Sequence, residues 1–191
     1  HSMTLPILRS MAKKHGPLAL VHVDAHADVN DEMFGEKETH GTVFRRAYEE
    51  GLIVPEMVFQ IGLRGTGYTA DDFTEAAGWG FNQYLAPDLW HKSLTPLAAE
   101  IKAKIGNHKT YISYDIDSLD PSFAPGTGTP EIGGLTTMQA MELIRGLRGL
   151  HIVGCDLVEV SPPYDPSGNT ALTGANLMFE MLSIVPGVPY R

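Results

Sequence analysis

Leu18-Ala19-Leu20-Val21-His22-Val23-Asp24-Ala25-His26-Ala27-Asp28 is a nearly unbroken apolar run that ends in acids and an imidazole. Bounded in front by Gly16-Pro17, the run reads as a buried strand. A second run, Tyr111-Ile112-Ser113-Tyr114, ends the same way in Asp115-Ile116-Asp117. In an extended chain, residues i, i+2 and i+4 point to one face. Alternation therefore predicts that Asp24, His26 and Asp28 converge, and that Asp115 and Asp117 do likewise. Carboxylates gathered in this way repel strongly unless cations lie among them. Oxygen ligands with a minority of imidazole suit Mn²⁺ or a similar divalent ion better than a thiolate-bound metal.

Outward from these two runs, short apolar stretches alternate with helical ones. Thr4 to His15 reads as a helix with Pro6 in its first turn and Gly16 as its stop. Further helices are predicted from Thr42 to Glu50, from Thr95-Pro96 to Ile105, from Thr136 to about Arg148, and from Asn169 or Thr170 to about Ile184. Thr136 with Gln139 is a capping box. Strands are predicted at Val58–Leu63, Thr110–Asp115 and His151–Glu159, with a turn at Arg64-Gly65-Thr66-Gly67. Strand and helix in alternation argue an α/β fold on a parallel sheet. In such sheets ligands bind beyond the carboxyl ends of the strands. Asp24, Asp115 and Glu159 all lie there. Ser118 to Leu135 is the longest stretch without a periodic pattern, and a long loop in a compact domain is usually functional. It leaves directly from Asp115-Ile116-Asp117 and reads as a wall of the site.

The 191 residues suffice for one domain with a sizeable core, and 43% apolar with 19% charged residues is ordinary for a soluble globular protein. A net charge of −9 makes nucleic acid and anionic membrane poor partners. No apolar run approaches a membrane span and no signal peptide is visible. Cys155 stands alone, as a small buried hydrophobe, and with no disulfide framework a reducing cytoplasm is expected. His22 shares the parity of Asp24 but sits deeper, and reads as a core residue behind the ligands. His15, His91, His108 and His151 fall at helix ends or loops and carry no assigned chemistry.

Five segments together resemble the ureohydrolase family of arginases, agmatinases and guanidino-acid hydrolases. They are Asp24-Ala25-His26-Ala27-Asp28, His40-Gly41-Thr42, Ser113 to Pro121, Pro125 to Leu135, and Glu159-Val160-Ser161-Pro162-Pro163-Tyr164-Asp165. That resemblance spans residues 1–191 as a single domain and implies a three-layer arginase-like fold with a mainly parallel sheet. His1-Ser2 fits the end of the family's Gly-Gly-Asp-His motif, so the chain looks like the C-terminal portion of such a protein. His1-Ser2-Met3 is also what a tag remnant would leave.

The resemblance further implies two manganese ions per subunit. His1, Asp24, Asp28 and Asp115 would hold one, and Asp24, His26, Asp115 and Asp117 the other. Asp28 would relay a proton to the leaving amine, His40 would shuttle protons, and Glu159 would face the planar guanidinium. Asn30 matches the position from which arginases contact a substrate carboxylate, and Met33 suits packing on a methylene chain. The loop from Asn30 to Lys37 looks most like the guanidinobutyrase branch, which implies hydrolysis of 4-guanidinobutanoate to 4-aminobutanoate and urea. Agmatine and 3-guanidinopropanoate stay open, since Asp31, Glu32 and Glu36 could receive an ammonium tail. The family assembles as trimers or hexamers. Two readings from other classes stand beside this one: a dinuclear phosphoesterase, disfavoured by the lack of further His motifs, and a metal-binding structural or regulatory relative without turnover.

Overall fold

A computed structural model describes residues 1–65, 67 and 73–189. Its centre is a five-stranded sheet made of β1 (Leu18–Val23), β2 (Ile53–Leu63), β3 (Asn82–Leu85), β4 (Lys109–Asp115) and β5 (His151–Val158). The spatial order is β3-β2-β1-β4-β5 and every pairing is parallel. The α-helices among the described residues are α1 (Thr4–His15), α2 (Val43–Glu49), α3 (Thr74–Gly78), α4 (Ala86–Leu89), α5 (Thr95–Ile105), α6 (Thr137–Gly146) and α7 (Asn169–Ser183). From β1 the chain moves outward through β2 to β3, then returns to the other side of β1 as β4. The sheet therefore has its topological switch point between β1 and β4, where a ligand crevice is expected.

The strand alternation sorts two cores. Ala19, Val21, Val23, Phe59, Ile61, Ile112 and Tyr114 face α5, α6 and α7. Leu18, Leu20, Val58 and Tyr111 face Leu5 and Leu8 of α1 and Val43, Phe44 and Ala47 of α2. This is the expected three-layer α/β arrangement. The expected stops hold: Gly16 and Gly106 take φ of +79° and +58° directly after α1 and α5. The Thr136–Gln139 box forms in both directions, at 3.0 and 3.1 Å.

Several boundaries differ from expectation for identifiable reasons. β2 begins at Ile53, not Val58, because the register shifts between Leu18/Ile53 and Leu20/Val58, and that irregularity accommodates Pro55 within a strand. β3 has no apolar run to announce it. Asn82 ties it to the carbonyls of Glu56 and Val58 at 3.1 and 2.8 Å. α6 ends at Gly146, short of Arg148. Thr42 does not cap α2 with its side chain; its hydroxyl closes the preceding 3₁₀ turn by donating to Lys37 O at 2.8 Å. Cys155 is half-buried on the edge strand β5 and not fully buried. Of the turn expected at residues 64–67, Thr66 lies outside the described residues.

Candidate metal centre

Asp24 is the first residue beyond β1 and Asp115 the last of β4, and the strands pair in register just below them, Val23 with Tyr114. The convergence predicted from alternation is present, but alternation does not produce it. Both acids fold the chain back on itself. Asp24 Oδ1 accepts the main-chain N–H of His26 at 2.6 Å, and Asp115 Oδ1 accepts that of Asp117 at 2.9 Å. Side chains of this type bond to the backbone two residues on and so turn it. The N–H of Ala25 then donates to Asp117 Oδ1 at 3.1 Å, which joins the two tips. Asp28 sits at φ +53°, held by the N–H of Phe44 on its carbonyl at 3.0 Å. A non-glycine residue in this left-handed region costs on the order of 1–3 kcal/mol.

These turns build two adjoining groups. His1 Nδ1 lies 3.1 Å from Asp24 Oδ2, 3.1 Å from Asp28 Oδ2 and 3.2 Å from Asp115 Oδ2. His26 Nδ1 lies 3.1 Å from Asp117 Oδ2 and 3.5 Å from Asp24 Oδ1. All six residues expected as ligands lie together, and Asp24 belongs to both groups; Asp115, expected to be shared as well, stands within reach of His1 but is not among the neighbours of His26. His22 also reaches Asp24 Oδ2, at 2.7 Å, from the buried side.

The electrostatics of so many buried acids call for a compensating positive charge. Burial, then the charges of Asp24 and Asp117, raises Asp115 well above the ordinary carboxyl range. Burial and Asp24 raise Asp28, and burial with Asp24 raises Asp117 to about 6. Burial opposes ionisation of Asp24 too, but His22, His1 and His26 hold it well below the usual value. Burial disfavours charge on His26, yet Asp117 and Asp24 raise it to about 11. His1 Nδ1 is buried and makes no well-formed hydrogen bond, although three carboxylate oxygens surround it. A donor set of carboxylate oxygens and imidazole nitrogens, with that orphaned nitrogen among them, fits a hard divalent ion such as manganese.

Above the acids opens a cavity of ≈ 480 Å³. Asn30, Met33, Phe34, His40, Glu131 and Glu159 line it together with His1, His26, Asp28, Asp115 and Asp117. Glu159, at φ +66°, contacts the main-chain nitrogen of His1. Met33 is buried, and its sulfur occupies space that a Cβ at Gly41 would enter, 2.2 Å away. It both lines the cavity and anchors the loop. Asn30 donates to Gly41 O at 3.1 Å. Asp31, Glu32 and Glu36 are not among the lining residues, and Asp31 is bound by Arg46 at 2.8 Å.

The loop from Ser118 to Leu135 supplies Thr129, Pro130 and Glu131 to the wall. Sequence reading missed what holds it. The half-buried guanidinium of Arg64 donates to the carbonyls of Glu131 at 2.6 Å, Asp117 at 2.8 Å and Ile132 at 3.1 Å. Burial lowers its pKa in spite of Asp117, Asp120 and Glu131 nearby. Gly134 leaves the room: a Cβ there would stand 2.4 Å from Arg64 Nη2. Glu131 was also missed; its Oε1 lies 3.8 Å from His26 Nε2.

A fold of this topology with a histidine and aspartate cluster at its switch point defines the class: the Arginase family model matches residues 1–183, and the chain belongs to that family. Over 191 residues it is 63% identical to the guanidinobutyrase of Pseudomonas aeruginosa, covering 100% of this chain and 60% of that protein. Over 188 residues it is 58% identical to the mitochondrial agmatinase of Gallus gallus, covering 98% and 55%. The structure of proclavaminate amidino hydrolase from Streptomyces clavuligerus superposes with a TM-score of 0.91 at 42% identity, covering 95% of this chain and 60% of that one. The chain spans 55–60% of the length of these curated relatives. No helix among the described residues is long and apolar enough to cross a membrane.

Proposed function

We propose that this chain carries the catalytic centre of a manganese-dependent ureohydrolase that converts 4-guanidinobutanoate and water to 4-aminobutanoate and urea. One observation carries the reading: two imidazole and carboxylate groups share Asp24 on the floor of a cavity wide enough for a small linear guanidine. His1, Asp24, Asp28 and Asp115 would hold one ion; Asp24, His26, Asp115 and Asp117 would hold the other. When bound, manganese supplies the Lewis acidity that makes water nucleophilic at neutral pH.

The chain's own residues do the rest. Glu159 presents a carboxylate to the guanidinium, whose planar N–H groups pair with it. Asp28 takes the proton that water gives up on adding to the guanidinium carbon and passes it to the departing nitrogen as the carbon–nitrogen bond breaks. His40, on the cavity wall, carries the second proton, the one that leaves the new hydroxyl as the urea carbonyl forms, to the freed amine, which departs as an ammonium. Met33 and Phe34 pack on the methylenes, and Asn30 meets the carboxylate tail. Assembly as a trimer or hexamer belongs to the same reading, and the lone Cys155 suits a reducing compartment such as the cytoplasm.

Agmatine is the second reading. It is supported by the 58% identity to the Gallus gallus agmatinase and by the cavity lining, which holds neither Lys nor Arg among the described residues. Asp31, Glu32 and Glu36 lend it no support, because none of them lines the cavity. Urea release from 4-guanidinobutanoate, 3-guanidinopropanoate, agmatine and arginine, measured with manganese on the full-length protein, separates the readings. The highest kcat/KM is expected for 4-guanidinobutanoate. Agmatine ranking first would replace the substrate, and manganese uptake with no urea from any of the four would support a non-catalytic relative.

A further inference from the structure

One rung of the sheet is polar from edge to edge. Gln83 pairs in register with Gln60, Gln60 with His22, His22 with Ser113, and Ser113 with Asp156. The five residues lie on β3, β2, β1, β4 and β5 in turn, on the face toward α1 and α2, directly beneath Asp24 and Asp115. Gln60, His22 and Ser113 are fully buried and Asp156 nearly so. A row of buried polar groups at the centre of a parallel sheet is costly unless each is hydrogen-bonded.

They are bonded, and the partners fix the direction of each link. At one end, Asp156 accepts hydroxyl donors from Thr4 at 2.8 Å, Tyr111 at 2.9 Å and Ser113 at 2.7 Å. Ser113 has one proton and gives it to Asp156. Its oxygen, 2.7 Å from His1 Nε2, must then accept from that nitrogen. His1 therefore carries a proton on Nε2 and turns Nδ1 toward Asp24, Asp28 and Asp115. At the other end, Gln60 Nε2 lies 2.7 Å from the carbonyl of Ala27, which can only accept, so the amide orientation is set. Gln83 donates to Gln60 Oε1 at 2.9 Å, and the remaining N–H of Gln60 points at His22 Nδ1, 3.1 Å away. His22 thus accepts at Nδ1 and donates from Nε2 to Asp24 Oδ2.

We propose that this cross-sheet row sets the proton positions of the two buried imidazoles, with Asp156 and Gln60 as positioning residues at its ends. One end frees a lone pair of His1 for a cation. The other makes His22 a donor that orients Asp24 and keeps His22 itself out of the ligand set, although it stands close enough to join. The inference rests on the reading of the cluster as a cation site, but not on the substrate or on turnover. Residues behind a metal ligand that fix its tautomer typically govern metal affinity by about 10–100-fold.

The test uses the full chain and two readouts that need no catalysis. Manganese titration by calorimetry should show Asp156→Asn and Ser113→Ala each weakening affinity about 10–100-fold. The double variant should be no weaker than the worse single, since both cut one chain of bonds. Thr4→Val removes a donor from Asp156 but leaves the Ser113 link, and should stay close to wild type. ¹⁵N NMR of the histidines in the metal-free wild type should place the His22 proton on Nε2, and Gln60→Glu, whose ionised carboxylate can only accept, should draw it to Nδ1 at a pH where that carboxylate is charged. Asp156→Asn with wild-type affinity, additive losses in the double variant, or a wild-type His22 protonated on Nδ1 would each overturn the proposal. A wild-type chain that takes up no manganese would defeat the proposed function instead, while the NMR result still decides the row.

Discussion

The two faces of the one sheet are built on opposite plans. Toward α5, α6 and α7, the central side chains above Thr110 at the base of β4 belong to one hydrophobic cluster: Ala19, Val21 and Val23 on β1, Ile112 and Tyr114 on β4. Toward α1 and α2, the same strands start apolar at Leu18, Leu20 and Tyr111 and turn polar one pleat later at His22, Ser113, Asp24 and Asp115. The first face gives up nothing to chemistry and supplies rigidity. The second keeps hydrocarbon at the base of the strands and concentrates buried charge at their carboxyl ends. A charge cluster this dense is tolerable because a continuous apolar layer lies one residue behind it.

Substitutions on the two faces should therefore fail in different ways. Asp115→Ala is expected to have the largest effect, with manganese uptake and urea release lost together while the chain still folds; metal content of the purified variant checks it. Ile112→Ala, one pleat away on the other face, should cost about 2–5 kcal/mol of stability in urea denaturation while leaving the manganese affinity of the folded fraction unchanged. Affinity lost in proportion to stability would show that the two faces are not separable.

Acid–base behaviour sharpens the same contrast. His26 is raised from 6.5 to about 11 and Asp117 from 3.8 to about 6 in the metal-free chain. Both groups bind protons more tightly folded than unfolded. Their contributions are complete below the unfolded values and fade as pH rises through the folded ones. Asp24, held low, acts in the opposite sense and only in acid. Metal-free protein should thus lose stability as pH rises above 6.5, whereas manganese, which must displace the proton from His26, should stabilise it increasingly over that range. Thermal melts with and without the ion, across pH, measure the divergence. A metal-free chain equally stable throughout would contradict it.

Two smaller effects test how far the polar plan extends beyond the sheet. Arg64→Lys keeps the charge but not the flat fork that spans the carbonyls of Asp117, Glu131 and Ile132. It should lower kcat/KM about tenfold, or about 1.4 kcal/mol, with faster hydrogen exchange in residues 118–135. Met33→Tyr should narrow the cavity and favour shorter guanidino acids; an unchanged substrate ranking would place Met33 outside the specificity wall.

Most of this architecture can be read in the sequence wherever a local pattern carries it. The β1 and β4 runs, the Thr136–Gln139 box and the glycine stops are local, and they appear as expected. The acids at the strand tips were legible as a cluster, but through the wrong device, since Asp24 and Asp115 draw the chain together by bonding their own backbone. Arg64 escaped notice because its partners are carbonyls, which leave no trace in residue identity. The row from Gln83 to Asp156 escaped for a related reason. Within its own strand no member carries a pattern that marks it, and only the register across four pairings puts them side by side.

Asp28 and Glu159, like Phe34 on the same cavity, hold a backbone shape that glycine or asparagine adopts with less effort. A laboratory lineage selected for heat resistance alone, with turnover left unscreened, would drift at these two positions toward such residues and yield sturdier, inert descendants.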